Sequence, residues 1–444
     1  MRTVLFTMRT ANVVGGVETR QARLAPLLAA HGWRAVFGLA WGARFHDPGA
    51  FTAAYPHLET IILDGRSGTS DGRQLAIRRA IKKTGASVVV PGMMIDTFEA
   101  VVGLKSRGSD VRLLGGLYGI NTQVLLPLRY YAPVLDQTFA VSKLTAHVLH
   151  DVCEIPEERI HYVPSGIPRA REIAVSNPAA PLRIGLIGRL DSVKRPLDLI
   201  DLLIELDARS VDYSVTVVGE GELAEPMMRG LEPWRTRVTV VPAVTTDQLY
   251  ERIYPRLDVC LLFSPSEGVP NVLMEAMVHG VVPVTSDFRG RSLQGLLRHE
   301  ETALVFPTGN VSAAADSIAW LDRNRSAMES LARSARSAAE TEHSLEGMGN
   351  AFARVLEQTI AGSPLRASVP PLTPVAGRLT RLIGPTAAER LRALLGRRFP
   401  HTDASEWPLH YSWPDALVAS VEDATAEAIP RREKEQLSRG VAWA

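Results

Sequence analysis

Ser264-Pro265-Ser266-Glu267-Gly268-Val269-Pro270-Asn271-Val272-Leu273-Met274-Glu275-Ala276-Met277-Val278-His279-Gly280 directly follows the apolar run Asp258-Val259-Cys260-Leu261-Leu262-Phe263. A short apolar run bounded by turn residues reads as a buried strand. Gly268 and Pro270 then break the chain, and Asn271, Met274, Glu275 and His279 recur at helical spacing. The stretch is a strand, a loop and a helix, the repeating unit of a parallel α/β sheet. The backbone amides of Gly268, Val269 and Asn271, on either side of Pro270, fall at the helix start. There, unpaired N–H groups and the positive end of the helix dipole favour a phosphate. Gly268 permits close approach of a ligand, and Pro270 suits a first helical turn. Glu267 and Glu275 set a carboxylate on each side of that anion site, where they can hold hydroxyls flanking a diphosphate. Either glutamate alone reads as an acid complementing the dipole; the whole string does not.

Outward from this unit, short β-branched runs alternate with longer helical patterns. The expected strands in the first part are Thr3–Thr7, Ala35–Leu39, Thr60–Leu63, Ser87–Val90, Arg112–Gly115 and Gln137–Val141. Helical stretches such as Glu18–His31 and Asp71–Lys83 lie between them. A second set runs through Arg183–Ile187, Val215–Val218, Val238–Val241, Val259–Phe263, Val281–Val284 and Ala303–Phe306. Ser176-Asn177-Pro178-Ala179-Ala180-Pro181 reads as the linker between the sets. The expectation is α/β: two doubly wound Rossmann-like domains, residues 1–175 and 176–360, facing a central cleft, plus a C-terminal extension, residues 361–444. Open parallel sheets bind ligands beyond the carboxyl ends of their strands, so each domain would offer loops to that cleft.

Further signals accompany the first. Ile184-Gly185-Leu186-Ile187-Gly188-Arg189-Leu190-Asp191-Ser192-Val193-Lys194-Arg195-Pro196 is a strand, a glycine turn and cations ahead of a helix. Negative charge grows on a β-phosphate as a bond to it breaks, and fixed Arg189 and Lys194 would stabilise it. Val217-Val218-Gly219-Glu220-Gly221-Glu222 is a strand and a glycine-containing turn. Val14-Gly15-Gly16-Val17-Glu18 is a tight turn whose amides can meet a phosphate, although two adjacent glycines also make a plain turn. Asp96 follows the fourth expected strand, where it either orients an acceptor at the cleft or caps a helix.

Composition excludes several classes. The 444 residues carry 49 Lys plus Arg against 48 Asp plus Glu, a balance unlike that of a dedicated nucleic-acid binder. With 46% hydrophobic and 22% charged residues, the chain is not globally disordered. Its two cysteines, Cys153 and Cys260, are too few for a disulfide framework or a cysteine-rich zinc site. No apolar stretch approaches the ~20 residues of a membrane span. The start, MRTVLFTMRTANVVGG, has no long apolar core or small-residue cleavage site. A soluble, cytoplasmic protein is the expectation.

The ordered set resembles the retaining GT-B glycosyltransferases, in particular glycosyltransferase family 4. The resemblance spans roughly residues 1–345 and is strongest from Arg183 to Pro307. It rests on Gly188-Arg189-Leu190 with Lys194, Val218-Gly219-Glu220-Gly221, Pro265-Ser266-Glu267-Gly268, Glu275-Ala276-Met277 and Gly280, with Glu267 and Glu275 in the family's E-x7-E spacing. Ala140-Val141-Ser142-Lys143 and Val163-Pro164-Ser165-Gly166-Ile167 also resemble family segments. The resemblance implies transfer of a sugar, with retention, from a UDP- or GDP-sugar to an acceptor hydroxyl, as in glycan biosynthesis. Glu267 would bind sugar hydroxyls, Glu275 the ribose, and Arg189 and Lys194 the diphosphate, with Gly16 approaching it from the first domain. No metal or other cofactor would be needed, because protein cations do that work. Many relatives carry a His after the strand matching Arg112–Gly115; here Leu117-Tyr118-Gly119 occupies the place, so Tyr118 joins Asp96 as an expected acceptor-side residue. A GT-B scaffold without turnover, serving as a partner subunit, is the alternative.

The extension carries its own signals. Pro385-Thr386-Ala387-Ala388-Glu389 reads as a capping box, and Ala387, Leu391, Leu394 and Leu395 would share a helix face. Between Arg378 and Arg398 six arginines face one acid, Glu389, and Trp407, Trp413 and Trp443 supply apolar anchors. The leucine stripe either packs on the first domain, as the helix's shortness favours, or lies on an anionic membrane, giving peripheral contact suited to a lipid-linked acceptor. The acceptor itself, glycan, lipid-linked or small molecule, is left open.

Overall fold

The computed structural model describes residues 1–9, 16–42, 47–92, 94–372, 377–396, 407 and 412–439. Val14, Gly15, Arg397, Arg398 and Trp443, singled out above, lie outside the described residues. The chain forms two units. The first comprises Met1–Val163 with Met348–Ala428, the second Pro164–Gly347 with Ile429–Ala444.

In the first unit the strands are β1 (Arg2–Met8), β2 (Trp33–Trp41), β3 (Thr60–Asp64), β4 (Val88–Pro91), β5 (Arg112–Leu117), β6 (Gln137–Ala140) and β7 (Ile160–Tyr162). Among the described residues they form one sheet in the order β3-β2-β1-β4-β5-β6-β7. All the pairings are parallel, with Val4 opposite both Ala35 and Val88. Burial of Val4, Leu5 and Phe6 in succession explains why β1 reads as a continuous apolar run. The helix Leu345–Ala361 belongs mainly to this unit, where Phe352 meets Phe6 and Phe139 at ring-centroid distances of 5.9 and 5.0 Å.

The second unit has β8 (Leu182–Ile187), β9 (Tyr213–Val218), β10 (Val238–Val241), β11 (Val259–Leu262), β12 (Val282–Ser286) and β13 (Leu304–Phe306). Their order is β10-β9-β8-β11-β12-β13, again parallel. The order reverses between β8 and β11, so the loops leaving those two strands diverge around a crevice at the sheet's carboxyl edge. One apolar layer includes Leu182, Ile184, Val259 and Leu261, and the other Cys260, Leu262, Leu273 and Met277.

The two-domain α/β expectation holds, with different boundaries. Residues 164–175 pack with the second unit: the Ile167 amide donates to His343 O at 2.7 Å and the Ala174 amide to His279 O at 2.7 Å. Residues 348–360, expected in the second domain, pack with the first through Phe352 and Glu357, which accepts from Trp33 Nε1 at 2.8 Å. The extension is not a separate body, since its described residues up to Ala428 group with the first unit. Its helix Arg378–Leu394 is broken at Gly384 (φ 77°, ψ 160°). The expected capping box does not form there, because Glu389 instead accepts from Thr69 Oγ1 at 2.7 Å and pairs with Arg392. The face that packs carries Thr380, Ala388 and Arg392, while Leu391, Leu394 and Leu395 point outward. The helix packs on the first unit, but the leucine stripe expected to do the packing points away from it, a correction to that expectation.

Candidate active site at the switch point of the second unit

The loop after β8 is shaped by glycine and an aspartate. Gly188 has φ 147° and donates to Val218 O at 2.9 Å. The neighbouring loop lies against it so closely that a Cβ on Gly219 would sit 1.8 Å from Gly188 O. No side chain fits there, which explains paired glycines at the ends of adjacent strands. Asp191 then holds the cations: its carboxylate accepts from the Lys194 amide at 3.0 Å and pairs with Arg189 at 2.8 Å. Arg189 is exposed, whereas Lys194 is mostly covered.

The loop after β11 meets this one. Lys194 Nζ donates to Glu267 Oε1 at 2.5 Å, joining the ends of β8 and β11 across the switch point. The Glu267 side chain is 9% exposed, so the pair sits where each charge needs the other. Gly268 and Val269 are half-buried and Pro270 is buried. The helix Asn271–Val278 begins with Pro270 as N-cap and no side-chain capping bond. Asn271 Oδ1 is buried without a hydrogen-bond partner. A helix start without a side-chain cap, beside a lysine, offers amides and positive charge to an anion.

Glu275 is buried just over one turn into that helix, where Tyr254 Oη donates to Glu275 Oε2 at 3.0 Å. Burial and the neighbouring carboxylate push the Tyr254 phenol well above its ordinary pKa, so it stays a donor. His279 Nδ1 bonds Glu275 O at 2.7 Å, and its ring stacks on Tyr254 at 5.0 Å. Burial lowers the His279 pKa and favours the neutral ring. Sequence reasoning missed Tyr254 and Asp191. For Tyr254 the one signal is its four-residue spacing from Tyr250, whose ring meets His279 at 4.6 Å.

Among the predicted residues, the structure brings Lys194 and Glu267 together, with Arg189 on the same loop as Lys194. Gly268, Val269, Pro270, Asn271 and Glu275 follow Glu267 along one loop and helix. The remaining predicted residues lie in the first unit. Gly16 is the exposed first residue of the helix Gly16–Ala30. Tyr118 accepts a bond from Gln21 Nε2 at 3.0 Å and stands edge-on to Phe139. Asp96 is a correction: it is 1% exposed, its carboxylate accepting from Arg73 Nε at 2.6 Å and Ser70 Oγ at 3.0 Å. A carboxylate held this way ties two helices together and presents nothing to an acceptor. Among the described residues, no group of three His, Cys, Asp or Glu side chains is placed to hold a metal ion.

Residues 181–324 match the family described as glycosyl transferases group 1. The match lies within the second unit. Over about 80% of its length the chain has the GT-B fold, as its likeness to solved glycosyltransferases shows. HepE from Anabaena, solved with UDP and glucose, is 15% identical with a TM-score of 0.64, covering 80% of this chain and 100% of its own. Sucrose-phosphate synthase from Thermosynechococcus elongatus is 17% identical with a TM-score of 0.66, covering 82% and 100%. A glycosyltransferase from Rickettsia africae is 15% identical with a TM-score of 0.65, covering 82% and 99%. No curated protein sequence matches the chain. Among the described residues, no helix is long and apolar enough to cross a membrane.

Proposed function

We propose that this protein is a retaining glycosyltransferase of the family 4 type that moves a sugar from a UDP- or GDP-sugar to an acceptor hydroxyl. The observation that carries the reading is the Lys194–Glu267 pair beside a helix start with no side-chain cap, inside the group 1 domain. In this reading the diphosphate lies against the amides of Gly268 and Val269 beside Pro270 and Asn271, with Lys194 and Arg189 next to it, and Glu275 accepts from the ribose hydroxyls. Glu267 accepts from sugar hydroxyls. The bond from the anomeric carbon to the β-phosphate oxygen breaks, and its electron pair leaves with the phosphate. Lys194 and Arg189 stabilise the growing charge, supplying what a metal would otherwise supply. The acceptor oxygen attacks from the same face and its proton passes to a phosphate oxygen, giving retention. The nucleotides bound to HepE support a nucleotide-sugar donor.

The test is a thermal-shift comparison of UDP- and GDP-sugars, followed by product analysis of the best stabiliser. Only a ligand that prefers the folded state raises the melting temperature. Release of nucleoside diphosphate with an α-linked product from an α-linked donor is the expected result. A donor that binds but is neither transferred nor hydrolysed would support the scaffold alternative instead.

A further inference from the structure

One face of the first unit is cationic and apolar at once. The edge strand β3, the helix Ser70–Thr84 and the helix Arg378–Leu394 enclose an open groove of about 740 Å³. Arg66, Arg79, Lys83, Arg390 and Arg392 line it. Arg66 is paired with Asp64 and Arg392 with Glu389. Arg79, Lys83 and Arg390 have no acidic partner among the described residues. Arg79 and Lys83 are four apart on one helix, a like-charge spacing that costs stability unless something outside the helix compensates.

Arg390 also lines a second, shallower depression of about 440 Å³ with Ile383, Leu391 and Leu394. Apolar exposure here is heavy: Leu382 is 81% exposed, Leu394 85% and Leu395 60%. The helix is nonetheless fixed, because its other face is buried through Thr380, Ala388 and Arg392. Arg378 and Arg381 are exposed on the same element. A rigid helix with bare aliphatic side chains beside unpaired cations has the chemistry of an interfacial membrane helix. Protein–protein interface cores are instead enriched in aromatic residues, and among the described residues none lines either depression.

We propose that this face docks the protein on an anionic phospholipid bilayer. Leu382, Ile383, Leu394 and Leu395 enter the boundary between headgroups and acyl chains, and Arg79, Lys83 and Arg390 lie against lipid phosphates. The attraction is electrostatic at the rim and therefore falls as salt shortens the Debye length.

Cosedimentation of the full chain with vesicles tests this independently of any transferase activity. The probes are vesicles of phosphatidylcholine alone and of phosphatidylcholine mixed equally with phosphatidylglycerol. The expected result is binding to the mixed vesicles at low salt, weakening at high salt, and little binding to phosphatidylcholine. Leu394→Glu with Leu395→Glu should weaken vesicle binding at least about tenfold, as should Arg79→Glu with Lys83→Glu on the other helix. All four positions are exposed, so melting temperatures should match the parent. Failure of the parent to bind mixed vesicles overturns the proposal, as does undiminished binding by both double variants. Concentration-dependent dimerisation abolished by Leu394→Glu, without vesicle binding, would assign the face to a second copy of the chain and likewise overturn it.

Discussion

Lys194 and Glu267 lie 73 residues apart in sequence and 2.5 Å apart in space, and their pairing makes separable demands on the two residues. If Glu267 grips sugar hydroxyls most tightly as the anomeric carbon becomes cationic, Glu267→Ala should lower kcat/KM roughly ten- to a thousandfold, ~1.4–4 kcal/mol. The same change frees Lys194, so affinity for the product nucleoside diphosphate should hold or rise. Lys194→Ala should do the opposite to that affinity. It removes a charge-assisted contact of ~1.5–3 kcal/mol, so calorimetry should show about ten- to a hundredfold weaker nucleotide binding, not restored by added magnesium. Equal nucleotide affinity in the two variants would remove Lys194 from the phosphate site. Much of this site was legible, because glycine, cation and carboxylate spacing is written along single loops. Tyr254 was not: it reaches Glu275 from another element, and no pattern in the sequence records that approach.

At the scale of the element, each of the twelve expected strands has a counterpart, because β-branched runs between turn residues have few alternatives in a parallel sheet. β7 escaped notice because Ile160-His161-Tyr162 is too short to show a period. The 378–394 helix shows the limit of periodicity from the other side. A leucine stripe marks an apolar face without saying what covers it, and here ion pairs and alanine carry the packing. The end of the helix Arg325–Glu342 gives a sharper prediction. His343 follows it, buried, with Nδ1 on Ser165 O at 3.0 Å, and desolvation lowers its pKa to about 4. An unfolded histidine titrates near ~6.5, so between those values the unfolded chain binds a proton that the folded chain refuses. Stability is therefore full above pH ~6.5 and falls with pH through that window, by at most about 3 kcal/mol at the lower end. Urea unfolding from pH 7 to 4.5 should show a shallower pH slope in His343→Leu than in the parent. Identical slopes would mean that another group carries the acid sensitivity.

For the whole molecule, what sequence could not place was where each terminal segment docks. Ser176–Pro181 has the composition of a linker, yet the chain joins the second unit at Pro164, because backbone bonds at Ile167 and Ala174 bind it there. Composition reports chain stiffness and not such bonds. After Ala361 a proline-rich segment shows no periodicity in the sequence, yet its residues 362–372 form a strap across the first unit. The Leu365 amide donates to Asp136 Oδ1 at 2.8 Å and the Leu372 amide to Glu99 Oε1 at 2.7 Å, while Arg112 Nη2 reaches Gly362 O at 2.6 Å. Asp136 is also the partner of buried Lys105, at 2.5 Å, whose pKa desolvation lowers and Asp136 supports. Removing the strap strips a hydrogen bond from a carboxylate already committed to a buried ion pair, where an unmet bond costs most. A chain ending at Leu372 keeps these contacts and a chain ending at Ile360 loses all of them. Charge-assisted bonds contribute ~1.5–3 kcal/mol each, so the shorter chain should be less stable by roughly 3–5 kcal/mol, or about 10 °C in Tm. Calorimetry of the two truncations reads this directly. Equal melting temperatures would show that Asp136 and Glu99 find water as good a partner as the strap, and that the strap contributes nothing to holding the first unit together.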